Sequence, residues 1–427
     1  MVRESAGAGR LVRVLWLSHS SSIGGAELAL AEGASALARR GHEVHVMLPH
    51  KGPLTERLGP ARGVHIVHSN RWTYSREGLA PGVVGKLRWM LYNLAAGRVA
   101  VSQMARTVAP DVIVSNTITI PTGALAALSC GLPHAWFLHE FGAKEHDVHF
   151  ILGRRLTLAA MDYLAHGFMV NSETMARTFG RVFDPERISV VPYAVDVPEV
   201  RNIPTGSRTS LEVVLVGMKC PGKGQREAIA ATGTLARRGV DVRMKLIGDS
   251  APNYEGQLRE LSEALGVAGR VTFVPFEEDP FRAMAAADVV LTCSRMEGFG
   301  RVVVEGMKLG RAVVGACSGA TSELIRNGWN GLLYPPGDAT ALARCLEDLY
   351  RDRGMARRFG ERGREWALKR FNFETYGRRL EEALVEVMAR GTLECSHGEG
   401  RRTARRAPRV IRRLVGRRTA DVVDEGR

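Results

Sequence analysis

No apolar run in this chain reaches the roughly 18 residues needed to cross a bilayer, so no membrane-spanning helix is expected. The opening MVRESAGAGR leads directly into a strand-like LVRVLWLS. It shows no signal-peptide h-region or small-residue cleavage site, and the expectation is a cytoplasmic protein. The six cysteines, Cys130, Cys220, Cys293, Cys317, Cys345 and Cys395, form no C-x-x-C pair. That argues against a zinc site and against a disulfide framework, and leaves them as small core residues. The G-x-G-x-x-G dinucleotide fingerprint is missing. Acidic residues are absent between Arg401 and Arg418, where nine arginines stand.

What is present is a 427-residue chain with 45% apolar residues, enough for two or three domains, each with its own core. The net charge of +14 points to an anionic partner: nucleic acid, a phospholipid surface or a phosphate-rich substrate. The tail carries a large share of that excess. Arginines at 39, 40, 237, 238, 357 and 358 lie on the polar faces of candidate helices and read as solvated surface.

Short apolar runs alternate with helical segments, the pattern of parallel α/β sheets. Strands are expected at 11–17, in HEVHVMLP, and at 65–68, 111–116, 134–140, 167–172 and 188–196. After a Pro/Gly/Ser-rich linker at 198–210 they resume at 211–217, 242–249, 270–276, 288–294, 311–317 and 331–338. The domain boundaries expected are 1–197, a linker 198–210, 211–390 and an Arg-rich tail 391–427, with the last helix able to pack back on the first domain. Gly24 and Gly25 open the first long helix, where backbone can approach a phosphate. His139 and Glu140 fall at the carboxyl end of a strand, where ligands bind in open α/β sheets. In 70–108, Trp72, Tyr74, Trp89, Met90 and Tyr92 interleave with Arg71, Arg76, Lys86, Arg88 and Arg98. This mixture suits a membrane interface or an acceptor groove, and suits rather better an amphipathic helix packing its aromatics inward.

The stretch LTCSRMEGFGRVVVE, Leu291 to Glu305, has the form of a site. It leaves a buried strand, turns through two glycines around Phe299 and enters a helix. Glu297 and Glu305 stand eight positions apart, and a diphosphate could lie between them against the helix N-terminus.

In order along the chain, GGAE at 24–27, HE at 139–140, NS at 171–172, VPYAVD at 191–196, VGMKCPGKG at 216–224 and IGD at 247–249 are followed by E-x7-E at 297–305, SGATSE at 318–323 and NGLLYPPGD at 330–338. This series resembles the retaining nucleotide-sugar glycosyltransferases of the GT-B fold, most of all glycosyltransferase family 4, over most of residues 11–375. The resemblance implies an α/β protein of GT-B architecture, with two Rossmann-like doubly wound domains facing across a cleft. It implies that Glu305 accepts hydrogen bonds from the ribose hydroxyls and that Glu297 holds hydroxyls of the transferred sugar. Backbone of Phe299, Gly300, Arg301 and Val302 would contact sugar and phosphate. Lys223 would neutralise the diphosphate, Gly24 and Gly25 would lie near it, Val274 and Phe276 would flank the nucleobase, and His139 would sit by the reacting sugar. Glu297, His139 and Lys223 are thus the candidate catalytic residues. No protein nucleophile and no cofactor are called for, and no convincing D-x-D metal site is found.

Two positions depart from the family pattern. Met218 stands where an arginine normally follows the strand-end glycine, so either Lys219 or Arg301 supplies the missing cation, or donor affinity is lowered, or activity is lost. Pro275 replaces a commoner glycine. The implied activity is transfer of a sugar from a UDP- or GDP-linked donor to a glycan or lipid-linked acceptor, in cell-envelope polysaccharide or glycoconjugate synthesis, by a monomer at the inner face of the membrane. The other reading is a GT-B binding protein that has lost catalysis and whose basic tail holds anionic lipid or nucleic acid.

Overall fold

The computed structural model describes residues 11–67, 73–74, 83–142, 149–200, 209–277 and 279–396. The Arg401–Arg418 tail, most of the linker, and Arg71, Trp72 and Arg76 lie outside these residues. The chain divides into two compact units: residues 1–171, 176–191 and 376–427 form the first, and residues 172–175 and 192–375 the second.

The first unit runs β1 (Arg13–Leu17), α1 (Gly25–Arg39), β2 (Glu43–Leu48), α2 (Leu54–Arg57), β3 (Gly63–Ile66), β4 (Thr73–Tyr74), α3 (Val83–Val108), β5 (Val112–Asn116), α4 (Thr122–Cys130), β6 (His134–Leu138), β7 (His149–Phe150), α5 (Gly153–Leu164), β8 (Gly167–Val170), α6 (Glu173–Phe179) and β9 (Ile188–Val190). Seven strands form a parallel sheet in the order β3-β2-β1-β5-β6-β8-β9. β1, β5, β6 and β8 are almost wholly buried, because helices cover both faces of a doubly wound sheet. Trp16 stacks on Phe137 and Phe168 on Phe183 in its core.

The second unit runs β10 (Leu211–Val216), α7 (Gln225–Arg237), β11 (Val242–Ile247), α8 (Tyr254–Ala264), β12 (Val271–Val274), α9 (Phe281–Ala286), β13 (Val289–Thr292), α10 (Arg301–Lys308), β14 (Ala312–Ala316), α11 (Thr321–Leu324), β15 (Leu332–Tyr334), α12 (Ala339–Arg351) and α13 (Arg353–Arg370). Its six strands are parallel, ordered β12-β11-β10-β13-β14-β15. α14 (Phe373–Ser396) closes the described chain. From Tyr376 onward it belongs to the first unit, where Leu380, Leu384 and Val387 are buried. The Tyr376 hydroxyl donates to the Ala29 carbonyl at 2.9 Å, and Arg40 Nε donates to Glu381 at 2.6 Å.

Strand order reverses beside β1 in the first sheet and beside β10 in the second, the places where such sheets open a crevice at their carboxyl ends. The strand expected at 65–68 lies at Gly63–Ile66, set by its pairing with His45–Leu48. The one expected through 196 stops at Val190, since Pro192 lacks the N–H a ladder needs. The short antiparallel pair β4–β7 has no hydrophobic alternation long enough to show in the sequence.

Candidate functional site

In the second unit the loop after β10 carries the lysine. Pro221–Lys223 make one 3-10 turn, and Gly224 leaves it with φ 71° to start α7. A Cβ at Gly224 would collide with the Cys293 carbonyl, so this close seat of the loop on the end of β13 requires glycine. Arg295 N donates to the Gly222 carbonyl at 3.0 Å and fixes the same approach. The consequence is that Lys223 Nζ lies 3.0 Å from Glu297 Oε2. Burial pulls the Lys223 pKa down, but the Glu297 carboxylate outweighs it, and the net shift is upward.

Glu297 is held from behind. Gly319 (φ 53°) presses against the Glu297 backbone where no side chain fits, Ala320 N donates to the Glu297 carbonyl at 2.8 Å, and Ser172 Oγ donates to the Gly298 carbonyl at 2.7 Å. Phe299 turns its ring into the core against Tyr193 and Phe371, leaving backbone at the turn's surface. Gly300 is the N-cap of α10, and Arg301 and Val302 occupy its first turn. One turn further, buried Glu305 accepts from Arg301 Nε at 2.9 Å. Two cation–carboxylate pairs therefore flank one helix N-terminus, itself a source of unpaired N–H groups.

Lys219 corrects an expectation. Its side chain is 1% exposed, and its ammonium donates to the Gly248 and Val274 carbonyls and pairs with Glu255 at 3.1 Å. It ties the ends of β11 and β12 together and is not placed to replace the arginine that Met218 displaces. Met218 itself is 52% exposed, and of the two compensating cations expected, Arg301 is the one at the turn. Val274 offers its carbonyl to Lys219, and Phe276 is exposed just beyond β12. The NGLLYPPGD motif is scaffold: Asn330 binds the Arg326 N–H and the Leu324 carbonyl, Gly337 N donates to Glu227 at 2.9 Å, and Asp338 caps α12.

In the first unit, Gly24 is the N-cap of α1, and Gly25 begins it with open space around its Cα. His139 lies just past β6, its Nε2 2.7 Å from Asn116 Oδ1. The Asn116 amide nitrogen is committed to the Ala26 carbonyl at 3.1 Å, so its oxygen faces the ring and Nε2 carries the proton. Desolvation, assisted by His19, pushes the His139 pKa down to about 3, and the ring is neutral at pH 7. Glu140 accepts from Ile118 N at 3.0 Å, a backbone-bracing role. Asn116 was not singled out in the sequence. Its position at the end of DVIVSN, on the strand beside HAWFLHE, is the signal that would have found it.

Two family models match the chain one after the other: Glycosyltransferase Family 4 over residues 23–199 and Glycosyl transferases group 1 over residues 198–366. Among curated relatives, the lipopolysaccharide core biosynthesis glycosyltransferase LpsE of Rhizobium meliloti is 31% identical over 42% of this chain and 49% of its own. The GDP-mannose-dependent alpha-(1-6)-phosphatidylinositol monomannoside mannosyltransferase of Mycolicibacterium smegmatis is 32% identical over 40% of this chain and 47% of its own. The chain thus matches about half the length of these curated relatives, or less. Among solved structures, Anabaena Alr3699/HepE in complex with UDP-glucose superposes with a TM-score of 0.71 at 25% identity, over 88% of this chain and 99% of that one. With both models matched in sequence order and two parallel Rossmann-like sheets in place, the chain is a GT-B glycosyltransferase resembling family 4.

Proposed function

We propose that this chain transfers a sugar, with retention of anomeric configuration, from a UDP- or GDP-linked donor to a glycan or lipid-linked acceptor of the cell envelope, acting on the cytoplasmic side of the membrane. The observation that carries this is the Lys223–Glu297 pair beside the N-terminus of α10. Without donor, each cation is neutralised by a carboxylate. When a diphosphate enters, Lys223 exchanges Glu297 for phosphate oxygens, and Glu297 is released to accept hydrogen bonds from sugar hydroxyls. Glu305, fixed on the helix, accepts from the ribose hydroxyls.

Breaking the anomeric C–O bond moves an electron pair onto the diphosphate. In this reading Lys223, once exchanged off Glu297, acts with Arg301 and the helix dipole on that charge, the kind of contribution that is the largest single one in many enzymes. The departing phosphate then takes the acceptor's proton on the same face, and neither a protein nucleophile nor a metal is invoked. Neutral His139 is the acceptor-side group of this reading, offering a fixed tautomer rather than a charge. Support for the donor class comes from the HepE complex with UDP-glucose and from the GDP-mannose dependence of the mycobacterial relative.

The test is donor hydrolysis together with calorimetry, using a panel of UDP- and GDP-sugars. Lys223→Ala is expected to lower turnover by about 10²–10³, the usual effect of losing one transition-state donor. Glu305→Ala is expected to weaken donor binding. Both parameters staying at wild-type values in both variants would sink the assignment.

A second reading follows from Met218 and from the commitment of Lys219 elsewhere: a binding protein that has lost catalysis, its basic tail engaging anionic lipid or nucleic acid. It requires that no nucleotide sugar bind, so the same calorimetry separates the two.

A further inference from the structure

In the first unit the connections β3 to β5, β5 to β6 and β6 to β8 all step the same way across the sheet, while β1 to β2 to β3 step the other way. Right-handed crossovers therefore put α3, α4 and α5 in one layer on one face, opposite α1 and α2. The contacts agree: α3 packs along α4, and α4 against α5. Arg98 on α3 donates to the Ser129 hydroxyl on α4 at 3.1 Å.

The outward side of this layer is unusual for a folded domain. Leu91, Tyr92 and Val99 on α3, Leu128 on α4, and Leu156 and Tyr163 on α5 are all exposed, Tyr92 to 76% and Leu156 to 62%. Scattered exposed leucines need no explanation, but six large apolar groups on three adjoining helices do. The charge beside them is of one sign. α3 is 26 residues long and has no acid in its sequence, and its described side chains include Arg98 and Arg106. α4 has no charged residue, and the single acid of α5, Asp162, is taken by Arg187 at 2.8 Å. Arg98, Arg106 and Arg155 have no carboxylate partner among the described residues.

We propose that the α3–α4–α5 layer is a docking surface for an anionic phospholipid bilayer. Exposed apolar side chains together with arginines that have no carboxylate partner, on a broad helical layer about 39 Å along α3, match the interface between acyl chains and anionic headgroups. Arginine stems lie along the apolar surface while their guanidinium groups reach phosphate. No described helix is long and apolar enough to cross the membrane, so the contact is peripheral. The inference is independent of the sugar-transfer reading, since lipid binding is measured without donor.

The experiment is flotation of the full chain with phosphatidylcholine vesicles, with and without phosphatidylglycerol, at low and high salt. One variant carries Tyr92→Ser, Leu128→Ser and Leu156→Ser. Another carries Arg98→Glu, Arg106→Glu and Arg155→Glu, and far-UV dichroism and melting check that both fold. The wild-type chain is expected to float with the anionic vesicles and to lose this in high salt. Each variant is expected to lose at least about tenfold in partitioning. Two results would overturn the proposal. One is unchanged flotation of both variants, which places lipid binding elsewhere, as in residues 401–418. The other is light scattering that shows a lipid-free dimer converted to monomer by the serine variant, which makes the face a contact between copies.

Discussion

Neighbouring lysines in this protein have opposite fates, and the difference is a matter of which oxygens surround each. Lys219 is sealed among two carbonyls and Glu255, and Lys223 meets Glu297 at the surface of the loop. Lys219→Ala is therefore expected to cost about 1–3 kcal/mol of stability, because it leaves the Gly248 and Val274 carbonyls without their buried donor. Its effect on donor affinity should be small, and urea unfolding beside calorimetry checks both. Met218→Arg is expected to strengthen donor binding by supplying the absent cation, read by the same calorimetry. His139 gives a pH signature. Its folded pKa of about 3 lies below the ordinary 6.5. As pH falls through 6.5 the unfolded chain takes a proton that the folded chain refuses, and stability drops until about pH 3. His139→Gln should remove its share of that drop, buried His134 with its own lowered pKa keeping the rest, with urea midpoints measured from pH 7 to pH 4 as the check.

At the scale of elements, the site is made by loops that touch, and glycines permit the touching. Gly224 seats the lysine loop on the end of β13, and Gly319 seats the turn before α11 on Glu297. Gly319→Ala adds a side chain against backbone at a positive φ, and is expected to destabilise by about 1–3 kcal/mol. Because the displaced partner is Glu297, the donor KM should rise as well, a change that steady-state donor hydrolysis measures. The motif order E-x7-E, SGATSE, NGLLYPPGD was readable as a series. That Glu297 and Glu305 pair with Lys223 and Arg301, while the SGATSE backbone braces Glu297, was not. Bracing is a property of carbonyls and N–H groups, which every residue has.

For the whole molecule, α14 returns to the first unit and completes its core with Leu380, Leu384 and Val387. Tyr376→Phe removes the hydrogen bond to Ala29, and is expected to cost about 1 kcal/mol in urea unfolding of the full chain. Ending the chain at Thr375 would bare the apolar surface under this helix, and loss of soluble protein is the expected outcome. The alternation of short apolar runs and helices is a local pattern, so the sequence by itself determined two parallel α/β units and the positions of nearly every strand, and it marked Lys223, Glu297, Glu305 and His139 as candidate site residues. Strand order, the pairing of Lys223 with Glu297, the burial of Lys219 and the Asn116 partner of His139 join residues far apart in the chain. Those were decided only by the tertiary structure, because which side chains meet depends on how loops from separate strands converge at a sheet edge.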